Sequence, residues 1–250
     1  MGIAETYAEQ MRAETRWFAA WEPDSPRKLG DFGPVPDGVF EMFGQLAPDE
    51  IKAMGVRESQ SGSDTEIMIN ASRSLVTDAG AVAAAGGASG KALLKMEFSA
   101  KNGIAFAASN MTLLQVTDLK ALGELLKRRR RAGDWNMDHA VVVQVNRAEK
   151  ATIILSKESK AEIGFEVAGD VPINPALIAN LNASTSVLNV RGVGVKIIGQ
   201  GPLTPLFKLA YLQHPLFREP EIKYREAVAA GGSEAGEIVP LDDEHSLLVL

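Results

Sequence analysis

Residues 103–116 read GIAFAASNMTLLQV, residues 117–135 read TDLKALGELLKRRRRAGDW, and residues 139–156 read HAVVVQVNRAEKATIILS. The pattern is strand, helix, then two strands at 141–143 and 153–155. Both of these later runs are continuous and rich in β-branched residues, which suits strands buried on both faces. The helix is defined by its ends and by one stripe. Thr117 or Asp118 can cap it by accepting backbone N–H bonds. Leu119, Leu122 and Leu126 recur at spacings of three and four. Gly133 fits the left-handed residue that follows a helix end.

Lys127, Arg128, Arg129, Arg130 and Arg131 fill the last turns of that helix. Cations suit the negative end of a helix dipole. The same run is the candidate anionic-surface-binding site, for acidic lipid rather than nucleic acid, because one basic run without basic neighbours is a small footprint for a duplex. Trp135, just past the helix, reads as a lid over the core.

Working outward, Asn102-Gly103 separates the apolar runs 93–98 and 104–108. Asn-Gly between such runs predicts a two-residue hairpin, which would set Phe98 opposite Ala107 and Phe106 opposite Ser99. Upstream, residues 3–20 read as an amphipathic helix with Ile3, Tyr7, Met11 and Phe18 near one face, docked on the body. Prolines and glycines between 23 and 38 exclude regular helix there, and a short strand is expected at 39–43. A helix over 47–54 starts at Pro48 and stops at Gly55. A strand is expected over 67–76, and a small-residue stretch of undecided structure over 79–90. Downstream, Ala161, Ile163, Phe165 and Val167 alternate with Glu162, Gly164 and Glu166, a strand with one wet face. Asn174 and Pro175 open a short helix. Strands follow at 187–190 and 193–198 around Arg191-Gly192. Residues 206–212 fit strand or helix. Strands are not regularly separated by helices, so the expected class is α+β with a mostly antiparallel sheet.

The chain has 250 residues and a net charge of −6, with no cysteine. Thiolate chemistry, disulfides and cysteine-held metals are excluded, and a reducing, cytoplasmic setting is expected. Eight acidic residues within 219–250 outweigh Lys223 and Arg225, while the rest of the chain carries 24 residues of each sign. The expected organisation is one α+β domain over 1–218, followed by an acidic linker and apolar tail over 219–250. Leu247, Leu248, Val249 and Leu250 are the candidate interaction tail, since a solvated terminus has no use for four apolar side chains.

Sites for catalysis are missing from the pattern. The stretch 86–92 fails the phosphate-loop motif at Ala85, where glycine is required, and at Ala92, where a hydroxyl is required. The stretch 192–197 fails the dinucleotide motif. His139, His214 and His245 are far apart and sit in no metal-ligand spacing. Asp134 and Asp138 fit turn chemistry. No nucleotide cofactor and no metal are expected.

The expected function is a non-enzymatic interaction or self-assembling, oligomer-forming protein, its partner a second copy or another protein. A second expectation comes from the order of parts. A hairpin at Asn102-Gly103, small residues able to change environment, a basic helix end and a tail of different charge are similar to the layout of short gasdermin-type pore formers over roughly 90–250. That resemblance implies a latent membrane-active effector held inactive by its C-terminal tail. A third expectation is an enzyme or small-ligand binder whose site is assembled from distant residues.

Overall fold

The structure is a computed structural model that describes residues 2–21, 25–59, 62–77, 91–168, 174–181, 185–213 and 221–224. In chain order the elements are α1 (Ile3–Thr15), β1 (Phe18–Ala19), β2 (Asp31–Gly33), a 3-10 turn (Pro36–Gly38), β3 (Gly44–Gln45), α2 (Pro48–Ala53), β4 (Val56–Glu58), β5 (Ser63–Ile69) and β6 (Ala71–Thr77). They continue with β7 (Lys91–Phe98), β8 (Ile104–Val116), α3 (Leu119–Arg131), β9 (Ala140–Ser156), β10 (Ala161–Ala168), α4 (Pro175–Ala179), β11 (Val187–Arg191), β12 (Val193–Gln213) and β13 (Glu221–Tyr224). Every described strand pairing is antiparallel. The fold is α+β, mostly antiparallel sheet with an N-terminal helix and a few short helices.

Strand β9 is the spine. The two strands expected at 141–143 and 153–155 are one strand of 17 residues. The polar stretch between them stays extended because β8 and β12 pair with it on either side. Its two halves face different cores. Val141, Val142, Val143 and Val145 pack with Leu122, Leu125 and Leu126 of α3, and with Trp135. Ala151, Ile153 and Leu155 pack under Tyr7 and Met11 of α1. Ile154 points the other way, into a third core between two sheet layers.

The local signals at helix ends hold. The Asp118 carboxylate accepts the Ala121 N–H at 2.8 Å, Gly133 is left-handed with φ 83°, and Gly55 ends α2 with φ 70°. Residues 206–212, undecided from sequence, are strand.

Other expectations are corrected. The helix expected over 3–20 stops at Thr15, because Arg16 turns left-handed (φ 59°) and Phe18–Ala19 is drawn into a ladder with Phe207 and Leu206. The strand expected at 39–43 is absent; the pairing in this region is instead between 31–33 and 44–45, and it brings Phe32 against Trp135. The strand expected over 67–76 is broken at Asn70, with φ 50°. The Asn102-Gly103 hairpin does not form: β7 and β8 belong to different sheets. Phe98 lies opposite Ala71 and Ala161, and Phe106 opposite Ile67 and Ile153. The local turn signal loses to two long partners on either side. Within 219–250, β13 pairs with β12 and sets Ile222 against Gly123 of α3. The stretch 79–90 and the residues from 225 onward lie outside the described residues.

Candidate functional site: a sheet folded at one corner

Strands β5, β8, β9 and β12 lie side by side in one layer, and β6, β7, β10 and β11 lie side by side in the other. The neighbours are the same in both layers. Each strand of the first layer runs directly into its counterpart in the second, at residue 70, at 99–103, at 157–160 and at 192. The molecule therefore contains one four-stranded antiparallel sheet folded across a single corner line.

The corner is built from residues that tolerate a sharp bend and from a row of hydrogen bonds. Asn70, Asn102, Lys160 and Gly192 all have positive φ, between 50° and 64°. Asn and Gly take this conformation most readily, because a β-branched side chain there clashes with the backbone. The four bends are tied to one another in sequence. Ser99 donates its N–H to the Asn70 carbonyl at 2.9 Å. Gly103 donates to the Ser156 hydroxyl at 2.7 Å, and that hydroxyl donates to the Ala100 carbonyl at 2.8 Å. Lys157 donates its N–H to the Gly192 carbonyl at 2.7 Å.

Between the layers, Leu94, Met96, Phe98, Ile163 and Phe165 are buried against Ala105, Ala107 and Ile154. The outer face of the second layer is polar. There Lys95 reaches Glu97 at 2.7 Å and Glu162 at 3.2 Å, and the Glu97 hydrogen bond leads the interactions that raise the Lys95 ammonium above its usual range. At one edge, Arg73 of β6 pairs with Glu66 of β5, joining the layers through a fork of two hydrogen bonds. At the other edge β11 leaves Val187 (37% exposed), Leu188 (52%) and Val190 (60%) uncovered. Val187 and Val190 lie opposite Phe165 and Ile163, so they continue the apolar inner face past its last cover.

The basic run sits elsewhere, against the α3 core at the far half of the sheet. Arg129 is half-buried and engaged: its guanidinium holds both oxygens of Glu50 at 3.0 and 2.8 Å. Burial pushes the Glu50 carboxyl up, but the Arg129 bond and the Ala47 amide outweigh it and hold it below the usual carboxylate range. Lys127 pairs with Glu124 at 2.9 Å. Arg128 and Arg131 are exposed. The candidate tail, Leu247 to Leu250, lies outside the described residues, as do His214 and His245. Trp135 is buried in the α3 core. His139 packs edge-on to Trp135 and near Phe32 and Phe43, with ring centroids 5.0 to 5.6 Å apart. Burial is the larger influence on its imidazole and lowers its pKa.

A cleft of about 330 Å³ beside the corner is lined by Ile3, Thr6, Lys101, Asn102, Leu155, Ser156, Lys157 and Gly194. The Ser156 hydroxyl in this cleft is engaged by two backbone groups. Among the described residues no cluster of three His, Asp or Glu side chains converges on one point.

The sequence signals of the corner are Asn70, Asn102-Gly103 and Gly192, and none of them alone points to a shared bend. No protein-family model matches this chain, and a search of curated proteins finds no relative.

Proposed function

We propose that this is a non-enzymatic, self-assembling protein, and that the folded sheet is the latent form of a membrane-active, pore-forming assembly. The observation that carries this reading is the shared corner line. Straightening four bends would convert the two layers into two long hairpins, β5–β6 with β7–β8 and β9–β10 with β11–β12, without changing the neighbour of any strand. In β7 and β10 of the second layer, apolar inner residues alternate with Lys95, Glu97, Glu162 and Glu166, the pattern of a strand with one lipid face and one aqueous face. Each straightened strand would exceed the ~9–11 residues that cross a bilayer. No helix of the described residues is long and apolar enough to do so, which leaves strands as the spanning element of this reading.

The partners of this reading are further copies of the chain and an anionic membrane surface. Edge strand β11, with three uncovered apolar side chains, suits addition of a strand from a neighbouring copy. Exposed Arg128 and Arg131 suit acidic headgroups. The tail at 247–250 is the proposed cover for the latent form, and the cytoplasm the proposed place of that form. The layout similar to short gasdermin-type pore formers points the same way.

The experiment is release of a trapped dye from phosphatidylglycerol–phosphatidylethanolamine vesicles, with the size of the membrane-bound species read by gradient centrifugation. Dye release together with a defined large oligomer is expected. A protein that stays monomeric and leaves vesicles intact across lipid composition, pH and tail removal would overturn the reading.

A further inference from the structure

The connection from β10 to β11 belongs to the second layer at both ends, yet its helix α4 packs on the first. It lies against β8, β5 and β9. Leu177, Ile178, Ala179 and Leu181 are buried there, among Ala105 and Ala107 of β8 and Leu94, Met96 and Phe165 of the opposite layer. The alanines make room for it: larger residues on β8 would fill the space between the layers themselves. Asn180, just past α4, accepts a hydrogen bond from the Lys150 ammonium of β9 at 2.8 Å.

Two physical properties set α4 apart from the rest of the interlayer core. It belongs to no strand ladder, so its departure breaks no sheet pairing. It also has only five residues, too few to hold helical form in water, so burial and the Asn174 cap maintain it. An element of this kind opens before the ladders around it.

Resting on the membrane reading above, we infer that α4 is the latch of the folded sheet: a wedge whose withdrawal from between the layers must precede the swing of the second layer away from the first. While α4 is seated, the inner face of β7 and β10 is covered. Once it leaves, the cover is reduced to Ala105, Ala107 and their neighbours, and the second layer turns about the corner. With α4 released, β10 and β11 remain joined as neighbours in the hairpin β9–β10 with β11–β12.

The full-length chain tests this directly, and its lack of cysteine makes labelling clean. In the variant Leu177→Ala/Ile178→Ala, amide exchange in β7 and β10 is expected to rise about tenfold or more, with exchange at 141–145 of β9 unchanged. In a second variant, Lys150→Cys/Asn180→Cys, a short bis-maleimide ties α4 to β9 through two positions at the surface. The linked protein is expected to release vesicle dye at least about tenfold more slowly than the same variant blocked with N-ethylmaleimide, as expected if α4 must leave first. Unchanged exchange in β7 and β10 of the alanine variant, or measurable dye release at equal rates by linked and blocked proteins, overturns the latch. If β7 and β10 exchange faster in the alanine variant but neither it nor the blocked protein releases dye, with residues 237–250 present or removed, the latch stands and the membrane reading falls.

Discussion

Gly103 and Ser156 hold each other across the corner. The Gly103 N–H donates to the Ser156 hydroxyl at 2.7 Å, and the Ser156 N–H donates back to the Gly103 carbonyl at 3.0 Å. The glycine is required by closeness rather than by its own dihedral angle. A Cβ at this position would stand 2.9 Å from the Asn70 carbonyl oxygen and 3.0 Å from the Phe98 ring.

Gly103→Val is therefore expected to push the Asn70 and Ser99 bends apart, at a cost of about 1–3 kcal/mol. Ser156→Ala leaves the buried Gly103 N–H without its partner, at a similar cost of about 1–3 kcal/mol. Because the two act on one contact, the double variant should cost less than the sum. Urea denaturation of the two single variants and the double variant checks this, and strict additivity would mean that the two positions act separately.

At the basic helix end, Arg130→Gln and Arg131→Gln are expected to leave stability within about 0.5 kcal/mol of the parent. Arg129→Gln should cost about 1 kcal/mol, since it strips Glu50 of its half-buried partner. Glu50 has a folded-state pKa below its unfolded one, so its contribution is present above the unfolded value and is lost as pH falls through the folded one. The stability gap between the parent and Glu50→Gln should therefore close on acidification below about pH 4. Thermal melts from pH 3 to pH 7 measure it.

His139 works in the opposite part of the pH scale. Its folded pKa is lowered, chiefly by burial against Phe32, Phe43 and Trp135. The unfolded chain binds the proton more readily, so stability falls as pH drops through the unfolded value of about 6.5. His139→Phe should flatten the stability profile between pH 7 and pH 5. A profile of unchanged slope would show that the imidazole is not what titrates there.

Val190→Lys places a charge on the uncovered inner-face end of β11. Charged edge strands resist pairing with another chain. The variant is expected to keep the parent's stability within about 0.5 kcal/mol and to lose self-association, read by sedimentation velocity with and without vesicles. Association at the parent's level would move the interface away from this edge.

Deleting residues 237–250 tests the tail. If Leu247, Leu248, Val249 and Leu250 cover the assembling surface, the truncated chain should oligomerise more readily or release vesicle dye faster than the parent. If the tail links copies, truncation should lower the oligomeric state instead. A truncated chain with the parent's size, stability and rate of dye release would sink both roles.

The class of fold, the capped central helix, the wet-faced strand at 161–168 and the Asn174-Pro175 helix start were all legible in the sequence, because each depends on contacts a few residues apart. Asp118 capping Ala121, Gly133 ending α3 and Glu162 alternating with Ile163 need only local geometry and the knowledge that one face is buried. The corner did not follow from the sequence. Asn102-Gly103 carries the strongest local signal for a hairpin, and a hairpin would satisfy it. What overrides it is pairing at long range: β7 finds β6 and β10, β8 finds β5 and β9, and the bend between them serves both ladders. The same holds for Arg129, whose partner Glu50 lies 79 residues away, and for α4, whose place between the layers depends on alanines of β8 that have no sequence relation to it. Spacing along the chain determines which face a residue presents; only the assembled sheets decide what that face meets.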